Sequence, residues 1–195
     1  MSQMDSKSIT VEIKRNVAER TKTDRIMWFS MWFLVAVATF GLAFFPMFYL
    51  LVERRNKHFL RQRKLEKLLI AHFKLGDDIF DVVDAPAKRN SLLWALSVVF
   101  VLPIFVIAYL LSRDIAVHNR RQCLIFQKLE LRKGMEQPSS INIKKCLFIT
   151  VLTLGLGIIY WIYKIFNSYN SHFKEQWIIE DTLIEQIEKG EKFND

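Results

Sequence analysis

Three stretches of this chain, 26–52, 91–112 and 146–163, contain no Asp, Glu, Lys or Arg, so all of its 28 basic and 20 acidic residues lie between and beyond them. A globular chain interleaves charge with apolar residues along each amphipathic element, and this one separates them. As unbroken helices the stretches would span about 40, 33 and 27 Å, against a bilayer hydrocarbon core of about 30 Å. None carries a polar face, so the first expectation is membrane embedding. The same distribution excludes a disordered chain. The two cysteines, Cys123 and Cys146, have no metal-ligand spacing and point to a reducing compartment rather than a disulfide scaffold.

The second feature is an internal repeat. Shifting the chain by 114 residues lays Val37–Leu69 on Val151–Leu183 with 11 identities in 33 positions, and a shift of 60 brings in the middle stretch more weakly. A Tyr, a His nine residues on and a Gln four further recur in all three copies: Tyr49, His58 and Gln62; Tyr109, His118 and Gln122; Tyr163, His172 and Gln176. The expected fold is therefore an all-α integral membrane protein of three repeats, each a hydrophobic membrane segment followed by an amphipathic interfacial helix. A polar N-terminal segment, 1–25, precedes repeat 1 at 26–75, with membrane segment 26–52 and a basic amphipathic helix at 53–75. A loop at 76–90 leads to repeat 2 at 91–132, with membrane segment 91–112 and helix 115–132. A loop at 133–145 leads to repeat 3 at 146–190, with membrane segment 146–166 and an acidic amphipathic helix at 170–189. Residues 1–25 lack the pattern of a cleavable signal, so the first stretch reads as an uncleaved signal anchor.

In the first tail, His58, Gln62, Leu65, Leu69 and His72 fall along one helical stripe, and Arg54, Arg55, Lys57, Arg61, Arg63, Lys64 and Lys67 supply a basic face. A basic amphipathic helix beside a membrane segment is attracted to anionic headgroups, so these seven cations are the expected lipid contacts. The third tail is mostly acidic outside, which favours packing on protein, either within the chain or in another subunit.

Alternate crossing by three spans divides Lys and Arg 14 against 13, which gives no orientation under the positive-inside rule. It also places equivalent tails on opposite sides. A second topology removes both difficulties. Gly41, Pro103 and Gly155, with Pro46 and Gly157 close by, mark a backbone breaker near the middle of each stretch. Folding there would make same-side hairpins, at the cost of unpaired backbone groups in lipid. Three ordinary spans are the leading expectation, and hairpins the alternative.

The stretch Leu152-Thr-Leu-Gly-Leu-Gly-Ile-Ile-Tyr-Trp-Ile-Tyr-Lys164 resembles an uncharacterised family of small prokaryotic membrane proteins, whose hallmark is Thr-Leu-Gly leading to Tyr-Trp-x-Tyr-Lys. The resemblance covers about 50 residues, 141–190, and implies a prokaryotic membrane location with no assigned activity. The first repeat departs from it at Phe40 and at Pro46-Met-Phe-Tyr49, and the second lacks the Thr-x-Gly.

No nucleophile triad, phosphate loop, zinc-protease motif or intramembrane carboxylate pair is present, so no enzyme and no cofactor are expected. The three equivalent histidines admit convergence on a metal, with the glutamines as outer donors. No acid is common to the three copies, so they read instead as repeated capping or headgroup contacts, with no metal expected. The functional expectation is a non-enzymatic, multi-pass protein of the cytoplasmic membrane. It would be an accessory or scaffolding subunit, or a lipid-shaping protein, with anionic lipid and other membrane subunits or itself as partners and no nucleic acid. The alternative is an oligomeric channel or transporter with His and Gln at its mouth.

Overall fold

A computed structural model describes residues 6–73, 86–129 and 141–189. Its elements are helical: α1 (Ser6–Ala18), α2 (Arg20–Thr23), α3 (Phe29–Ala38), α4 (Phe44–Phe73), α5 (Ser91–Ser97), a 3-10 turn at Val98–Phe100, α6 (Leu102–Lys128), α7 (Ile143–Leu152) and α8 (Gly157–Lys189). Each uncharged stretch is thus broken in two. A short outer arm (α3, α5 or α7) turns back into the apolar start of a long helix (α4, α6 or α8), which then runs unbroken through the charged tail.

Among the described residues no helix is long and apolar enough to cross a membrane, which overturns the expectation of a multi-pass protein. The physical reason is the break. A ten-residue arm such as α3 or α7 reaches only about 15 Å, half the thickness of a hydrocarbon core. The boundaries drawn at 52, 112 and 166 fall inside continuous helices, and the third repeat's helix begins at Ile143 rather than at 146. Residues 74–85, 130–140 and 190, where parts of the expected loops and helix ends fall, lie outside the described residues.

The first and third turns share one construction. Phe40 and Leu154 adopt left-handed backbone at φ 50° and 49°, followed by Gly41 and Gly155 at φ 90° and 99°. The Gly41 amide reaches back to the Ala36 carbonyl at 2.7 Å and the Gly155 amide to Thr150 at 2.8 Å, closing a Schellman-type cap. Thr39 and Thr153 then serve both arms. Each hydroxyl donates to the preceding helix, to the Val35 and Ile149 carbonyls, and accepts from the first turn of the next, the Ala43 and Gly157 amides. Every backbone N–H from Thr39 to Phe45 and from Thr153 to Ile159 has a partner within its own turn. The second turn, without Thr-x-Gly, uses the 3-10 segment and Val101 at φ 58°, with Pro103 in the first turn of α6.

The three long helices run parallel and in register. Positions 51, 55, 58, 62, 65 and 69 of α4 step by four and three, the spacing of a coiled-coil seam, and each meets its repeat equivalents. From the turns outward the levels are Leu51, Leu111 and Ile165; Arg55, Ile115 and Tyr169; the three His; the three Gln; Leu65, Ile125 and Ile179; and Leu69, Leu129 and Leu183, all buried. Equivalent residues meeting at successive levels require a common direction, so the three turns lie at one end of the bundle.

The N-terminal segment is not merely polar. Ile9, Ile13 and Val17 recur every four residues along α1 and are buried against the outer apolar cluster of Leu65, Leu69, Ile125 and Ile179. Asn16 and Asp24 are buried with them.

A Cβ at Gly157 would lie 2.7 Å from the Thr150 backbone N and Cα, where two main chains approach with nothing flexible between them. Gly41 meets only the Phe44 ring, at 3.7 Å, but needs positive φ. We expect Gly157→Ala to destabilise by about 2–3 kcal/mol and Gly41→Ala by about 1–2, ranked by thermal unfolding.

Candidate functional site

Between the apolar cluster near the turns and the outer one lies a buried polar band. Its inner level is the histidine triad. The ring centroids of His58, His118 and His172 form a nearly equilateral triangle of 5.0, 5.1 and 5.3 Å, the rings standing at 76–85° to one another. One ring nitrogen from each lies within 4.8 Å of the others. His58 Nε2 is 3.0 Å from His172 Nε2, and His58 Nδ1 is 2.9 Å from the Asp24 carboxylate. Asp24 is an acceptor, so Nδ1 of His58 carries the proton it donates. Among the described residues His118 Nε2 is buried with no hydrogen-bond partner. Burial, then the neighbouring His172 and His58, hold His118 well below the ordinary histidine range, so it is neutral.

One turn outward, Gln122 and Gln176 both donate to Gln62 Oε1, at 3.0 and 3.2 Å, and Gln62 donates to Glu180. The glutamines therefore bond one another and an acid rather than backing the histidines. The headgroup or capping role expected for the triad is corrected too, because all six side chains are enclosed between helices.

The ion pairs follow the pseudo-threefold. Arg61 of repeat 1 holds Glu180 of repeat 3 at 2.8 Å, and its equivalent Arg121 of repeat 2 holds Glu66 of repeat 1 at 2.9 Å. At the remaining interface the equivalent residues are Glu175 and Phe126, so the pairing is not repeated there. Arg61 also holds Asp24 at 2.7 Å. Burial would raise the Asp24 carboxyl, but His58 and Arg61 outweigh it and keep it well below the usual carboxylate range. Burial pushes Glu66 and Glu180 upward, against the pull of their arginines.

Three of the seven cations expected at the headgroups are inside. Arg54, Arg55 and Arg61 are 2%, 0% and 3% exposed, whereas Lys57, Arg63, Lys64 and Lys67 are exposed. Arg55 reaches Asp114 at 2.8 Å. Arg54 donates to Asn170 Oδ1 and lies 5.2–5.7 Å from the Phe166, Tyr169 and Phe173 rings, and burial pulls its guanidinium down to about 9. Asp24, Asp114 and Arg89 were missed in the sequence because their partners lie 25 or more residues away.

At the other end, Phe40 and Leu154 are each 97% exposed. Phe100, Val101, Leu102, Leu42 and Leu156 stand out beside them, and Pro46 is exposed one turn into α4. Tyr49, Tyr109 and Tyr163 form an exposed ring at a common level, five to seven residues into the long helices. No family model, curated protein or solved structure matches the chain.

Replacing Arg61 by Ala leaves Asp24 and Glu180 buried without their cation. We expect a loss of about 3–5 kcal/mol in urea unfolding, against under about 1 kcal/mol for Lys14→Ala, whose 2.7 Å bridge to Glu188 is exposed.

Proposed function

We propose that this chain is a lipid-surface protein that sinks three apolar turns into one leaflet of a bilayer, with a structural role as a wedge or platform rather than a catalytic one. The observation that carries this reading is the combination found at the first and third turns: fully exposed large apolar side chains on a backbone whose N–H groups are all paired internally. In water the first property is a liability and the second is ordinary. In hydrocarbon both are required, since an unpaired backbone group there costs several kcal/mol. Bulky residues at positive φ add about 1–2 kcal/mol of strain each, a cost that only a use for the protruding side chain offsets.

The dimensions support one leaflet. Tyr49, Tyr109 and Tyr163 stand about 8–10 Å along their helices, and the turn adds a few ångströms, close to the roughly 15 Å of half a hydrocarbon core. An aromatic ring at that level suits the headgroup boundary. Arg25, Lys88, Lys144 and Lys145 precede or open the outer arms, and Lys164 and Arg113 lie beside the tyrosine level, all exposed. These cations, with Lys57 further out, make the contact to anionic headgroups in place of the enclosed arginines. Tails sharing one side also account for the even split of basic residues. The stretch at 152–164 that resembles small prokaryotic membrane proteins contributes one turn and one tyrosine to this surface. The channel alternative draws no support from the axis, which is filled at every level from Leu51 to Leu69.

Burying a large apolar side chain is worth about 1.5–3 kcal/mol, so Phe40→Ser and Leu154→Ser should each weaken co-flotation with phosphatidylglycerol-containing vesicles by about tenfold to a hundredfold. Binding unchanged in the double variant would remove the proposal.

A further inference from the structure

We infer that His58, His118 and His172 form a binding site for one divalent transition-metal ion of the zinc class. The inference is separate from the lipid reading and needs no bilayer.

The geometry is near what such an ion requires. Zn–N bonds of about 2.0–2.1 Å set tetrahedral ligand nitrogens about 3.3 Å apart. The His58 and His172 Nε2 atoms already stand at 3.0 Å, and no pair of the three ligand nitrogens exceeds 4.8 Å. The remaining separations must shorten by up to about 1.5 Å to reach that spacing. The three rings come from equivalent positions on parallel helices, so the approximate threefold symmetry belongs to the fold and not to one side chain's rotamer.

Two observations point to a ligand rather than to packing. Among the described residues His118 Nε2 is buried without a partner, which costs about 1–3 kcal/mol unless something satisfies it. Metal coordination does so directly. The second is Asp24, whose carboxylate accepts from His58 Nδ1 at 2.9 Å and fixes the tautomer that presents Nε2 to the centre. A carboxylate behind a ligating histidine is the arrangement that orients and strengthens it. The nearby cations, Arg55, Arg61 and Arg121, are each already paired with an acid. Phe59 stacks on His118 at 4.2 Å and Phe173 lies tilted against His58 at 4.6 Å, giving the rings an apolar backing.

The protons balance simply. His58 carries its proton on Nδ1, so the proton in the 3.0 Å contact belongs to His172 Nε2; coordination through that nitrogen moves it to His172 Nδ1, the other neutral tautomer, with no net release. A cavity of about 310 Å³ between α4 and α6, lined by Lys57, Arg63, Lys88, Phe59 and His118, gives the route in. Three histidines leave one position of a tetrahedron for water or for an anion drawn in by those cations.

The test uses the full chain, stripped by a chelator and titrated with Zn²⁺ alone. We expect one ion per chain by elemental analysis, a Tm rise of about 5–10 °C at a hundredfold excess over Kd, and tetrahedral Co²⁺ absorption bands on substitution. His118→Phe should lower affinity at least a hundredfold, and Asp24→Asn about tenfold to a hundredfold with the Co²⁺ bands retained. A chain that is helical by circular dichroism yet takes up no stoichiometric Zn²⁺ overturns the site, whatever the variants do. So does Zn²⁺ binding that is equally tight in a folded His118→Phe protein, which would place the ion elsewhere.

Discussion

The structure depends on one seam, in which three parallel helices of a single chain meet at heptad spacing with histidine and glutamine at two successive core levels. Leucine and isoleucine alone would allow the helices to slide by a turn or to associate antiparallel, because apolar contact is non-directional. Polar core residues that must find their equivalents fix register and direction at some cost in stability. Here the Gln62 carbonyl takes both other glutamines, and Arg61 and Arg121 each cross to an acid on a neighbouring repeat. Register at this band then propagates along stiff helices to the turns, about 20 Å away at 1.5 Å per residue. The shared end of the three apolar turns is therefore a consequence of chemistry in the middle of the bundle.

Much of this was legible in the sequence, in pieces. The equivalence of His58, His118 and His172 follows from the repeat, and the stripe of His58, Gln62, Leu65 and Leu69 is the seam itself. What hid the topology was length. A stretch of 27 uncharged residues satisfies a spanning helix by composition, and only Gly41 behind a bulky left-handed residue turns it into two arms. The Thr-x-Gly shared by the first and third repeats was the available signal, since threonine can close one helix and open the next across a glycine. The Ile9, Ile13 and Val17 stripe was equally open to view and marks a helix packed on the bundle.

The arginines were not legible. Arg55 falls on the seam spacing, but Arg54 and Arg61 share a helical face with the exposed Lys57 and Lys64, and nothing local distinguishes a cation that meets lipid from one that meets an acid 119 residues away. The planar, bidentate guanidinium is the cation suited to enclosure, and the residues left on the surface are mostly lysines. The contrast in tail charge has its use inside the molecule: the acidic third tail supplies Glu180 to Arg61 and Asp181 to Arg20. The symmetry is imperfect at the interface of repeats 2 and 3, where Phe126, Asn119 and Glu175 stand in positions held elsewhere by Glu, Phe and Arg. That is the place where the three copies have diverged most in their buried chemistry.

The central claim is that the three turns share one end, and the most direct measurement is a set of distances between spin labels placed pairwise at positions 40, 100 and 154, with Cys123 and Cys146 replaced, in lipid vesicles. Helices packed about 8–10 Å apart and parallel predict all three pairs below about 30 Å. Any pair beyond about 40 Å, the separation of opposite faces of a bilayer, would contradict the parallel bundle and the reading built on it.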